Sequence, residues 1–153
     1  MDAKLVSPFL EAVFQVLPAV GCEGAKRGEL KLKNKLSATM DVTALIGLSG
    51  SLRGNVIYCM AEETARNMAS IMMMGMPVEQ LDEMSRSALA ELSNMITAAA
   101  STIFSGRGIN LDISPSTLIT GKNVKVMVSQ VQTLSVQVIA PPGIIELNVG
   151  LEV

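Results

Sequence analysis

Glu91 and Asn94 stand three residues apart within the run Ser87-Ala-Leu-Ala-Glu91-Leu-Ser-Asn94-Met95, and few other residues of the chain have side chains suited to chemistry. A carboxylate can anchor a cationic side chain. A carboxamide can orient a water molecule, because it both donates and accepts hydrogen bonds. The sequence has no His and no Trp, one Tyr, and two Cys far apart. Histidine-based triads, His/Cys zinc sites and aromatic platforms for stacking bases therefore lack their parts.

The run has a helical period. At about 100° per residue, Leu81, Met84, Ala88, Leu89, Leu92, Met95, Ile96, Ala99 and Ile103 fall in one arc. This predicts the buried face of a helix from about Leu81 to Ser105, closed by Gly106 and Gly108. Ser87, Glu91 and Asn94 form one stripe just outside that arc, a turn apart, flanked by Ala90, Ala98 and Ser101. Small residues beneath a projecting Glu and Asn let a protein backbone or compact ligand come close, so the stripe reads as a docking face. On spacing alone, the same pair is also commonplace on a solvated helix face.

The composition bounds what this face can serve. The 153 residues are read as a single domain spanning 1–153, long enough to bury roughly two-thirds of the unfolded surface. With 49% hydrophobic and 17% charged residues the chain is no disordered segment, and a further buried surface such as a subunit interface is expected. A net charge of −2 and few aromatics argue against nucleic-acid and anionic-membrane partners. Cys22 and Cys59 form no CxxC pair and read as reduced core thiols of a cytoplasmic protein. Ala19-Val20-Gly21-Cys22 faintly resembles a lipoprotein cleavage site, but Asp2, Glu11 and Gln15 interrupt the segment before it. No uncharged apolar run reaches the roughly 20 residues of a membrane span.

Residues 2 to 20 carry Leu5, Phe9, Val13, Phe14 and Leu17 at helical spacing, with Pro8 either starting the helix or kinking a longer one and Gly21 ending it. From 28 to 60 the period becomes two, predicting strands with a hairpin at Gly50-Ser51 and a partner strand from Asn55 to Met60. Lys31, Lys33 and Lys35 read as guards of an edge strand. A second helix runs from Glu62 to Met74, and its methionines, Met68, Met72, Met73 and Met74 with Met76 beyond, could form an adaptable binding surface but at helical spacing more often fill an irregular core. Beyond Asn110, alternation at 124–128, 131–138 and 144–153 predicts three or so antiparallel strands, with Pro141-Pro142-Gly143 turning the last pair. The sum is an α+β fold of antiparallel strands packed with an N-terminal helix and two central helices, arranged as pseudo-symmetric halves.

At the Ser87/Glu91/Asn94 segment the chain resembles the CheC/CheX family of chemotaxis phosphatases. The family signature is Ser or Asp, three residues, Glu, two residues, Asn, then a Pro about twenty residues on. Ser87, Glu91 and Asn94 match its spacing, and Pro115 follows within Asp112-Ile-Ser-Pro115 after twenty intervening residues. The lead-in Gly75-Met-Pro-Val-Glu-Gln-Leu81-Asp82-Glu83 is also similar. The motif occurs convincingly once. Ser7, Glu11 and Phe14 of the first helix repeat the spacing with phenylalanine in place of the amide, so the chain looks closest to the single-motif CheX branch, whose members typically pair as homodimers.

The resemblance implies a phosphatase that hydrolyses the aspartyl phosphate of a CheY-like response regulator. Asn94 would position the attacking water, Glu91 would anchor the regulator through its phosphate-site lysine, and Ser87 and Ala98 would line the contact. The chain itself would carry no cofactor, the Mg²⁺ belonging to the regulator. The alternative is a non-catalytic interaction module of a signalling or flagellar-switch assembly, which would have no need of the amide.

Overall fold

The computed structural model describes residues 3–152. Asp2, where the expected first helix begins, and Val153, at the end of the expected last strand, lie outside the described residues. The N-terminal apolar period forms a short 3₁₀ turn, Ala3–Leu5, and then α1, Ser7–Ala19. Pro8 occupies the first turn of α1, where a missing N–H removes no helical hydrogen bond, so it starts the helix and kinks nothing. At the far end Cys22 N–H donates to the Leu17 carbonyl at 2.8 Å and Gly21 N–H to that of Pro18 at 3.1 Å. This Schellman closure needs a left-handed residue, which Gly21 supplies at φ +102°.

The central helices are α2, Glu62–Met72, and α3, Glu83–Gly106. Gly106 is the last residue of α3, and Gly108 closes it in the manner of Gly21, at φ +76° with Ile109 N–H donating to the Phe104 carbonyl at 3.0 Å. All three helices bury their apolar sides in one cluster with the sheet, where Phe9 meets Phe104 edge-on at 5.5 Å.

The strands are β1 (Lys26–Lys33), β2 (Leu36–Gly50), β3 (Arg53–Met60), β4 (Leu111–Ile113), β5 (Thr117–Ser129), β6 (Thr133–Ala140) and β7 (Gly143–Glu152). Among the described residues they form a seven-stranded antiparallel sheet in the order β1-β6-β7-β3-β2-β4, with β5 also paired to β2. The two hairpins β2–β3 and β6–β7 meet along β3 and β7, the pseudo-symmetric doubling expected from the sequence. The outer strands are exchanged, however. β1 of the first half pairs with β6 of the second, and β5 of the second pairs with β2 of the first.

Several local expectations change. Val131 and Gln132, expected in a strand, lie with Gln130 in the connection between β5 and β6, while Pro141 and Pro142 do make the two-residue connection between Ala140 and Gly143. The β2–β3 turn lies at Gly50-Ser51 as expected but is wider than two residues, since the last paired residues are Leu48 and Gly54 and Gly50 is taken up by Leu111 of β4. β1 is an edge strand, as the lysines suggested, yet Leu30 and Leu32 are exposed. Of Met68, Met72, Met73, Met74 and Met76, Met68 alone is buried. Met74 is 97% exposed and Met76 is also exposed, because the chain leaves α2 through Met74 and Gly75 in left-handed conformations.

The buried side of α3 is turned about 80° from the expected arc. It consists of Ser85, Leu89, Leu92, Ser93, Ile96, Thr97, Ala100 and Phe104, whereas Met84 is 62% exposed. Hydroxyl groups can enter the core here because each is satisfied. Ser93 Oγ donates to the Ala90 carbonyl at 2.8 Å, Thr97 Oγ1 to that of Ser93 at 2.8 Å, and Thr97 Oγ1 also bonds the buried Tyr58 hydroxyl at 2.8 Å. The rotation sets the Ser87/Glu91/Asn94 stripe opposite the core. Among the described residues no helix is long and apolar enough to cross a membrane.

Candidate functional site

Helix α3 starts at a fixed point. The Asp82 side chain accepts the Ser85 N–H at 2.9 Å and the Ser85 hydroxyl at 2.8 Å, an N-cap whose hydrogen bonds hold the Asp82 carboxyl below its usual range. Two turns on, Glu91 is exposed and Asn94 half-buried. Among the described residues neither side chain makes a hydrogen bond or ion pair with the rest of the chain. Ala98 is exposed one turn beyond Asn94, and Ser87 is exposed one turn before Glu91.

Across from this stripe stands a second wall. Glu91, Asn94, Met95 and Ala98 face Ile113, Ser114 and Pro115 over an open depression. The structure thus brings together Glu91, Asn94 and Ala98 with the proline of the motif, while Ser87 lies on the same stripe outside the depression. Met95, Ile113 and Ser114 were not singled out from the sequence. Met95 had been placed in the core, and the rotation of α3 brings it half-buried to the rim. Ile113 and Ser114 carried no signal beyond their place in Asp112-Ile-Ser-Pro115.

The wall is tied to both layers of the fold. β4 pairs with the end of β2, Leu48 opposite Ile113. Ser114 then exchanges two hydrogen bonds with Gly47 of β2: its N–H donates to the Gly47 carbonyl at 2.9 Å, and its Oγ accepts the Gly47 N–H at 2.8 Å. Ser116 Oγ donates to the Ala90 carbonyl of α3 at 3.2 Å, and Ser101 Oγ donates to the Leu111 carbonyl at 2.9 Å. Pro115, with its φ fixed by the ring, sits between these anchors.

Other reactive groups are withdrawn from solvent. Cys22 and Cys59 are unpaired and buried; burial raises the Cys22 thiol and pushes that of Cys59 up to about 12, so neither ionises readily. Burial raises the Tyr58 hydroxyl as well. Among the described residues no group of three His, Cys, Asp or Glu side chains is placed to hold a metal.

The first helix keeps no second copy of the pair. Glu11 forms an ion pair with Arg107 at 3.6 Å, joining α1 to the end of α3. If the two helices are aligned at their closing glycines, Gly21 and Gly108, Asn94 falls on Ser7 and Glu91 on Lys4. The Ser7/Glu11/Phe14 spacing is therefore out of register with the motif.

What the arrangement offers is an uncommitted carboxylate and carboxamide, one turn apart on a rigid helix, beside a short apolar wall. Both are free to enter a partner's site without first breaking an internal contact.

Residues 42–139 match the sequence profile of the family described as chemotaxis phosphatase CheX. Over 126 residues the chain is 31% identical to the CheY-P phosphatase CheX of Thermotoga maritima, covering 82% of this chain and 81% of that one. Its fold is similar to a CheC-like superfamily protein from Shewanella sp. PV-4, with a TM-score of 0.89 and 26% identity over 100% of both chains. It is also similar to a chain of the CheX-CheY-BeF₃-Mg²⁺ complex from Borrelia burgdorferi, with a TM-score of 0.83 and 29% identity over 97% of each chain.

Proposed function

The chain belongs to the CheX family of chemotaxis phosphatases, and from that membership we propose that it hydrolyses the aspartyl phosphate of a CheY-like response regulator, with Asn94 and Glu91 as the working pair. The observation that carries this reading is their placement: one stripe of α3, opposite the core, without internal partners, facing Pro115.

In the proposed reaction water attacks phosphorus and the bond from phosphorus to the aspartyl oxygen breaks. The electron pair leaves on the regulator's carboxylate, and the water's proton departs with the phosphate. Such transfers have a loose transition state, so catalysis rests on placing the water in line and on neutralising the phosphoryl oxygens. The Asn94 carboxamide accepts a hydrogen bond from the water and holds it in line, a gain of the entropy-trap kind. Glu91 pairs with the lysine of the regulator's phosphate site and fixes the docking register. Ala98 keeps the stripe low enough for close approach, and Ser87 touches the edge of the contact. The Mg²⁺ resides on the regulator, as the composition of the Borrelia complex suggests.

We also propose that the chain acts as one domain, since β1 of the first half pairs with β6 of the second, and that it works in the cytoplasm, as its family membership suggests. The exposed Leu30 and Leu32 on edge strand β1 suit a homodimer; sedimentation showing only monomer at micromolar concentration would overturn that.

The test is the decay of a phosphorylated CheY-type regulator in Mg²⁺, alone, with this protein, and with Asn94→Ala. Acceleration by the unmodified chain only is expected. Equal acceleration by both would remove Asn94 from the chemistry, and binding without acceleration would favour the interaction module.

A further inference from the structure

In helix α3 the Ala90 carbonyl is the acceptor that the i to i−4 ladder assigns to the Asn94 N–H. It also receives the Ser93 hydroxyl at 2.8 Å and, from outside the helix, the Ser116 hydroxyl at 3.2 Å. Ala90 immediately precedes Glu91, so the turn bearing both working side chains is tied to the Pro115 loop by the Ser116 hydroxyl. The other side of the same loop is clamped to β2 by the two Ser114–Gly47 bonds. Pro115 lies between the two serines and adds a fixed φ. We propose that Ser116 is a positioning residue of the site: through the Ala90 carbonyl it sets the distance between the Asn94 turn and the Pro115 wall, with Ser114 as the fixed end of the strut.

This inference rests on the phosphatase reading for its kinetic consequence, but its structural core does not. A serine that merely stabilised the fold would change the melting temperature and leave the turnover of the bound complex alone. A positioning serine changes turnover, because an error of about 1 Å in placing a reacting group can cost about a hundredfold. Removing one of several contacts to the turn should cost less than that, roughly tenfold. Threonine keeps the hydroxyl and alanine does not.

The experiment compares the unmodified chain, Asn94→Ala, Ser116→Ala, Ser116→Thr and Ser114→Ala for single-turnover decay of a phosphorylated CheY-type regulator, separating the maximal rate from the concentration giving half of it. In parallel, exchange of the Asn94 backbone amide with deuterium is followed by NMR. Ser116→Ala is expected to lower the maximal rate roughly tenfold with little change in half-saturation, and to speed Asn94 amide exchange about fivefold, the worth of one hydrogen bond. Ser116→Thr should restore both. Full activity of Ser116→Ala beside an inactive Asn94→Ala would overturn the positioning role and leave the phosphatase standing. If no variant and not even the unmodified chain accelerates decay, the phosphatase reading fails, and the exchange result decides the strut by itself: unchanged protection at Asn94 in Ser116→Ala refutes it.

Discussion

Asn94→Asp separates a water-positioning amide from a general base, because it keeps the shape of the side chain and changes only its charge and donors. The Asn94 side chain is half-buried with no hydrogen-bond partner among the described residues, so the variant should fold normally and lose less than about 1 kcal/mol of stability. In the complex, a carboxylate at about 4 Å from a phosphoryl group retaining about one net negative charge meets about 4 kcal/mol of repulsion at an effective dielectric of about 20. At about 1.4 kcal/mol per tenfold, that is close to a thousandfold in rate. Asn94→Ala loses only the placement of water, about a hundredfold. The expected order of maximal rates is therefore Asn, then Ala, then Asp, the last about tenfold below Ala. Single-turnover decay of the phosphorylated regulator at saturating phosphatase gives these rates directly, and melting curves exclude unfolding as the cause. If Asp equals or exceeds Ala, and gains rate as the pH rises through the carboxylate range, the neutral-amide mechanism is wrong and base catalysis takes its place.

Glu91→Lys places like charges at the proposed lysine contact, and half-saturation for the regulator should rise about ten- to a hundredfold with a smaller change in maximal rate; unchanged affinity by titration would remove the anchor role. Asp41 binds the Asn123 N–H at 3.0 Å and the Glu62 N–H at 2.9 Å, tying the β5 bend to the start of α2, and these bonds hold its carboxyl below the usual range. A carboxyl lowered by folding contributes stability above its ordinary pKa that is lost as pH falls through the lowered value. Asp41→Asn should accordingly melt earlier at neutral pH, with the difference shrinking in acid; a gap that persists at low pH would assign the loss to packing. Tyr58→Phe removes the hydroxyl bonded to Thr97 at 2.8 Å while Thr97 keeps the Ser93 carbonyl. Urea denaturation should show a loss of about 1 kcal/mol, and a loss several times larger would mean that the hydroxyl network is coupled well beyond this pair.

The stripe on α3 was legible because it depends only on the helical period, which survives an error in the buried face. The expected arc follows the apolar residues alone and so leaves out Ser85, Ser93 and Thr97. Their hydroxyls are satisfied by Asp82, by helix carbonyls and by Tyr58, so they are buried as small side chains, and the true face turns toward them. Met84 and Met95, read as core, are displaced to the surface and the rim by the same rotation. Strand content was largely readable from alternation, but the pairing of β1 with β6 and of β5 with β2 was not, since no local pattern says which distant strand supplies the neighbour. The Pro115 wall was visible only as part of the motif. What holds it, Ser114 on Gly47 and Ser116 on Ala90, joins residues remote in sequence through single hydroxyls and leaves no periodic trace.

The exchanged outer strands bear on how the molecule comes into being. Lys26 to Lys33 must wait for Thr133 to Ile139 to be synthesised before its ladder is answered, and Leu36 to Leu45 waits likewise for Thr117 to Ser129. A nascent chain that has emerged only through α2 holds three strands with unfilled edges, β1, β2 and β3, which makes folding slow and exposes those edges to neighbouring chains. Loss of the last two strands would strip β1 and β3 of β6 and β7 together, and with them Val136, Val138, Ile145 and Leu147 of the core that seats α3.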